Sequence, residues 1–134
     1  YRSGNLTVSN LVKFPIPTEA QTMEAIFAWR DVVVGTYPEL ELLHHVMNEG
    51  KRGWKAQRAV KRGGVLKGIP DICLPVARCG FIGLYIEQKR EGEKPTFEQL
   101  KIAQLLRDQM HAVYLSYTAG DTQQIILNYI TGRA

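Results

Sequence analysis

Two apolar runs, residues 71–76 and 81–89, are separated only by the turn-like Ala77-Arg78-Cys79-Gly80. Runs this short and this close pair as an antiparallel hairpin. Both are apolar nearly throughout rather than at every second residue, the pattern of strands covered on both faces. Strands of that kind need helices on either side, so the chain is constrained to a mixed α/β fold layered round a central sheet. Folding the hairpin about Cys79 sets position 71 opposite position 87. Side chains alternate along a strand, so Glu87 and Lys89 share one face while Gln88 takes the other.

That hairpin brings Asp71 and Glu87 side by side, with Lys89 two residues along. Neighbouring carboxylates repel, and burial makes each harder to ionise. A divalent cation removes the conflict, since Mg²⁺ binds through one or two carboxylates and keeps several waters. The backbone carbonyl of Gln88, between the two functional side chains, is a further candidate ligand. Lys89 is placed to orient a water or to stabilise charge developing on a phosphate. The plainer alternative is an ion pair of Glu87 with Lys89 on an edge strand, with Asp71 as a turn residue after Pro70. Against it, Glu87 follows Phe81, Ile82, Leu84, Tyr85 and Ile86, so the charges occupy core-like positions, where polar residues usually mark function.

The flanking segments complete the layers. Thr18 and Gln21 form a capping-box pattern ahead of Met23, Ile26, Phe27 and Val34 at helical spacing, with Gly35 as the stop. Pro38 suits the first turn of a short helix through Leu43, and residues 44–47 read as a short strand. Residues 54–62 read as a basic helix ended by Gly63-Gly64. Thr96 caps a helix through Met110 whose apolar set is Phe97, Leu100, Ile102, Ala103, Leu105 and Leu106. Residues 112–117 form another strand, and Asp121 caps a last helix through Ile130. The chain of 134 residues is thus an extended lead-in, 1–17, and one domain, 18–134.

Charge distribution narrows the partner. Lys51, Arg52, Lys55, Arg58, Lys61, Arg62 and Lys67 fall in one stretch without an acid, whereas the chain as a whole has 17 basic and 13 acidic residues. The positive excess is confined to that stretch, the footprint of a polyanion-binding surface; the alternative is a solvated helix face. Trp54 within it either stacks on a base or packs the helix. Cys73 and Cys79 are too few for a disulfide framework and match no zinc spacing. No apolar run reaches membrane-spanning length and the first residues lack signal-peptide character, so a cytoplasmic protein is expected.

Pro70-Asp71 followed by Glu87-x-Lys89 resembles the signature of the PD-(D/E)XK nuclease superfamily. Three segments extend the likeness: Gly64-Val65-x-Lys67-Gly68-x-Pro70-Asp71, then Gly83-Leu84-Tyr85-Ile86-Glu87-x-Lys89, then Pro95-Thr96-x-x-Gln99. Together with Pro38-Glu39-Leu40, His44-His45-x-x-Asn48 and Asn128-Tyr129-Ile130, they resemble the VRR-NUC family over roughly residues 18–131. Its stand-alone phage and prophage members are the nearest likeness.

The resemblance implies a restriction-endonuclease-like core and Mg²⁺- or Mn²⁺-dependent hydrolysis of DNA phosphodiesters in a phage or its bacterial host. It implies metal ligation by Asp71 and Glu87, a catalytic role for Lys89, and site roles for Gln99 and a first-helix glutamate. That glutamate is Glu19 by its distance ahead of Trp29, with Glu24 the alternative; the two stand about 140° apart round a helix. Met23 occupies the place of a glutamine usual in the family. Gln99 also completes a capping box with Thr96, which is its alternative role. The His44-His45 pair is expected to have no catalytic role, because a strand sends neighbours to opposite faces. The resemblance further implies branched or duplex DNA as substrate, Holliday junctions among them, and a symmetric homodimer. The interface would come from Ile26, Phe27 and Trp29 or from the N-terminal extension. A nuclease fold that only binds DNA, and a flap- or RNA-directed nuclease, are the rival readings.

Overall fold

The computed structural model describes residues 15–47 and 62–133. The first helix, α1 (Glu19–Val33), starts where the capping box places it: Gln21 N donates to Thr18 Oγ1 at 3.1 Å, and Thr18 N donates to Gln21 Oε1 at 2.9 Å. Ile26 on α1 is fully buried, and Met23, Phe27, Trp29 and Val33 pack against the same core. Phe27 and Trp29 are partly buried there, so much of the apolar surface expected for a dimer contact on α1 is spent on the chain's own core. A 3-10 helix (Pro38–Leu42) follows, with proline in its first turn and Leu40 in the core.

Four strands form one sheet in sequence order: β1 (His44–His45), β2 (Ile72–Leu74), β3 (Gly83–Gln88) and β4 (His111–Ser116). The first three are antiparallel, whereas β3 and β4 are parallel. A parallel neighbour requires a crossover, supplied by α2 (Phe97–Asp108). The last helix, α3 (Ala119–Ile130), packs with α1 on the opposite side of the sheet from α2. Every residue of β2 is buried, as are all but one of β3, as expected of strands covered on both faces.

The hairpin register contains an irregularity that sequence reading passes over. At the tip, Arg78 and Phe81 pair, and Cys79 (φ 56°) and Gly80 (φ 82°) both adopt the left-handed backbone of a type I′ turn. Beyond the tip, Leu74 pairs with Leu84 and Ile72 with Ile86. The outgoing arm thus holds one more residue than the returning arm. The extra residue falls at Pro75-Val76, where proline has no N–H to give the ladder and Val76 N donates back to Leu74 O at 2.9 Å. The buried Tyr129 hydroxyl donates to Val76 O at 2.6 Å and holds the bulge in place.

Two local expectations are corrected. The cap of α3 is Thr118, whose hydroxyl accepts from Asp121 N at 3.0 Å; Asp121 lies inside the first turn, where its charge suits the helix dipole. On α2 only Ile102 is buried, while Phe97, Leu100 and Leu105 are exposed. That helix covers the sheet with a narrower stripe than its apolar content predicts. It ends at Asp108, and Met110 turns the chain with a φ of 68°.

Candidate active site

Continuing the β2–β3 register by one step past Ile72 and Ile86 sets Asp71 opposite Glu87. Asp71 Oδ2 accepts a hydrogen bond from Gln88 N at 2.8 Å, which ties the start of β2 to the end of β3. Glu87 Oε2 accepts from Gln99 Nε2 at 3.1 Å and lies 3.6 Å from Lys89 Nζ. Glu87 Oε1 is buried and has no hydrogen-bond partner among the described residues. Burial, and then the neighbouring Asp71, push the Glu87 carboxyl up to about 8, with Lys89 pulling the other way. These groups open into a cleft of about 430 Å³.

Alternation along β3 separates two environments. Glu87 meets Gln99 of α2 on one face, whereas Gln88 meets Thr122 of α3 on the other. The expected sharing of one face by Glu87 and Lys89 is realised in their ion pair, with both side chains about nine-tenths buried.

Gln99 makes a contact on each side. Its Oε1 accepts from Thr96 N at 2.9 Å in the capping box, while its Nε2 reaches Glu87. Of the two first-helix glutamates, Glu19 lines the cleft and Glu24 does not. Glu19 stands on the wall rather than in a cluster: among the described residues no three His, Cys, Asp or Glu side chains converge as a metal-binding group. The donor set in contact is the carboxylate pair, and its buried, unpartnered Glu87 oxygen is the kind of group a divalent cation satisfies. Met23, in the place of the family glutamine, packs against the core.

Three contributors were not singled out as site residues. Gly68 (φ 90°) passes so close to α2 that a Cβ there would lie 2.6 Å from Glu98 O, so the loop before Asp71 is seated on the first turn of the helix carrying Gln99. Arg90 Nε donates to Pro17 O at 3.2 Å, tying the chain just beyond Lys89 to the lead-in of α1 and so to Glu19. His45 lines the cleft, while His44 Nδ1 lies 2.9 Å from Leu42 O, the alternation expected of neighbours in a strand. Gly68 left a faint sequence signal, a lone glycine ahead of x-Pro; Arg90 left none, because its partners lie across the fold.

Of the basic stretch, Lys67 is exposed on the cleft wall and Arg62, earlier in the chain, is exposed as well. Lys51, Arg52, Lys55, Arg58 and Lys61, with Trp54, lie outside the described residues, as does the extension proposed as a dimer contact up to residue 14. Cys73 is buried in β2 and Cys79 is exposed, both as free thiols. Among the described residues no helix is long and apolar enough to cross a membrane.

No protein-family profile matches the chain, and no curated protein does. Among solved structures, one described as a VRR_NUC domain protein superposes with a TM-score of 0.72 and 21% sequence identity, over 87% of this chain and 91% of that one. The four-stranded mixed sheet with helices on both faces agrees with a PD-(D/E)XK-like core. The chain has the fold of a VRR_NUC domain.

Proposed function

We propose that this protein is a divalent-metal-dependent nuclease that hydrolyses DNA phosphodiester bonds, with branched DNA such as a four-way junction as its preferred substrate. The observation that carries the reading is the opposed pair Asp71 and Glu87, with a buried Glu87 oxygen that has no hydrogen-bond partner among the described residues and Lys89 Nζ 3.6 Å from the same carboxylate. The VRR_NUC structural neighbour supports it.

Asp71 and Glu87 would hold Mg²⁺ or Mn²⁺, with the Gln88 carbonyl as a third oxygen and Glu19 contributing from the cleft wall. The ion, when bound, supplies Lewis acidity toward a phosphate oxygen and makes water easier to deprotonate. The chain's own groups do the rest. Lys89, held by Glu87 in a nearly buried position, places a positive charge where the attacked phosphate gains negative charge. Gln99 holds the Glu87 carboxylate through its amide and leaves the second oxygen without a hydrogen-bond donor among the described residues. Lys67 and Arg62, with the other basic residues of 51–61, would contact phosphates and give sequence-blind, salt-sensitive affinity. Cutting both arms of a junction takes two sites, so the reading includes a symmetric pair of chains.

The deciding experiment is a cleavage panel of single-stranded, duplex, flap and four-way DNA in Mg²⁺, Mn²⁺ and EDTA, with Asp71→Ala and Lys89→Ala. Metal-dependent cutting, lost in both variants and strongest on the four-way substrate, is expected. Binding without cutting would turn the reading to a DNA-binding module. Light scattering that finds a single chain at micromolar concentration overturns the pairing.

A further inference from the structure

The face of β3 turned away from the cleft holds a buried polar cluster that the proposed chemistry does not use. Gln88, Ser116 and Thr122 are 4%, 2% and 0% exposed. Thr122 Oγ1 donates to Gln88 Oε1 and lies 2.7 Å from Ser116 Oγ, which donates to Thr118 O at 3.1 Å. Gln88 Nε2 has no hydrogen-bond partner among the described residues. A primary amide in such a place is retained only against a substantial desolvation penalty, and Thr122 is the side chain that meets it. The same Gln88 gives its backbone N–H to Asp71 Oδ2. One residue therefore joins α3 to Asp71 and stands between Glu87 and Lys89.

We infer that Thr122 is a positioning residue: by anchoring the Gln88 side chain on the α3 face, it fixes the end of β3 so that Glu87 and Lys89 project into the cleft and the Gln88 N–H stays on Asp71. The direction of residues 87 and 89 is set by the residue between them, because a strand has only two faces. Without the Thr122 hydroxyl, Gln88 Oε1 loses its donor and joins Nε2 in having no partner among the described residues, and the strand end relaxes to find water. The consequence for cleavage rests on the nuclease reading; the consequence for the Gln88 N–H does not.

The test compares Thr122→Val, which keeps the shape and removes the hydroxyl, with Thr122→Ser, which keeps the hydroxyl, and with Ile126→Val, a core trim on the same helix. Two readouts are taken: kcat and KM on the preferred DNA, and hydrogen exchange at the Gln88 backbone N–H in protein free of metal and DNA. Thr122→Val is expected to lower kcat about tenfold with KM within about twofold, and to speed Gln88 exchange about tenfold more than Ile126→Val does. Thr122→Ser is expected to restore both. Equal losses in the valine variants at positions 122 and 126, or unaltered Gln88 exchange in Thr122→Val, would overturn the inference. A wild-type protein that cuts no DNA removes the nuclease reading alone, and Gln88 exchange then decides the role of Thr122.

Discussion

Asp71 stands opposite Glu87 because the hairpin's strands are one residue out of step with its tip. A regular ladder running back from the Arg78–Phe81 pair would set Asp71 against Gln88 and turn Glu87 to the wrong neighbour. The extra residue at Pro75-Val76 corrects this, and Tyr129 holds it. Deleting Pro75 is therefore expected to abolish metal-dependent cleavage. It should also abolish the thermal stabilisation that Mn²⁺ gives the parent, about 2.7 kcal/mol at a hundredfold excess over Kd. Circular dichroism and calorimetry with and without Mn²⁺ check both. A deletion variant still stabilised by Mn²⁺ would show that the register does not depend on the bulge.

Gln99 meets Thr96 and Glu87 with different atoms, so a capping role and a role at the candidate site can be separated. Glutamate at position 99 keeps the capping box, because a carboxylate oxygen accepts from Thr96 N as well as an amide does. It cannot donate to Glu87. Gln99→Glu is expected to leave stability in the presence of Mg²⁺ within about 0.5 kcal/mol while lowering kcat about tenfold, the value of a hydrogen bond to a charged group. Thermal melts paired with initial rates distinguish this from a capping role alone, which would leave the rate intact.

The raised value of Glu87 has a signed consequence for the metal-free protein. Its carboxyl holds a proton more tightly in the fold, up to about 8, than at its ordinary value of 4.5, chiefly through burial and then through Asp71. The resulting stabilisation is complete below 4.5 and is lost as pH rises through about 8. In EDTA, the melting temperature of the parent should fall relative to that of Glu87→Gln across this window. Mn²⁺ should reverse the trend, since it displaces the proton. Parallel pH profiles of the two proteins in EDTA would contradict the assignment.

Gly68 and Gly64 share a φ of 90°, but only Gly68 approaches another backbone. Gly64→Ala bears the conformational strain alone, about 1 kcal/mol. Gly68→Ala adds the clash with Glu98 O and should destabilise by about 2–3 kcal/mol, with the loop before Asp71 displaced and kcat reduced. Denaturant melts of the two variants measure the difference; equal losses would mean that the loop moves away freely.

The geometry of the candidate site was legible in sequence where local rules govern it. Asp71, Glu87 and Lys89 follow from a hairpin and strand alternation, and both glutamine-containing capping boxes from four-residue patterns. The Asp71–Glu87 register was reached by centring the turn on Cys79; the tip is centred half a residue later, and the Pro75 bulge makes up the difference. Contributions made across the fold were illegible: Gly68 against Glu98, Arg90 on Pro17, Thr122 under Gln88. The parallel β3–β4 pairing and the exposure of Phe97 and Leu100 likewise depend on how α2 lies on the sheet, which periodicity does not specify. Thr118 took the α3 cap from Asp121 because its hydroxyl lies three residues ahead of the N–H it meets, within reach of either choice of helix start.

The two thiols lie at opposite extremes of access. Cys79 sits exposed at the hairpin tip, while Cys73 is sealed in β2, the strand that begins one residue after Asp71. A thiol reagent added to the native protein should label the tip at once and reach Cys73 only when the central sheet parts. The chain thus carries its own clock for sheet opening, read by mass spectrometry without an added probe, and able to report whether a bound cation or DNA slows that opening.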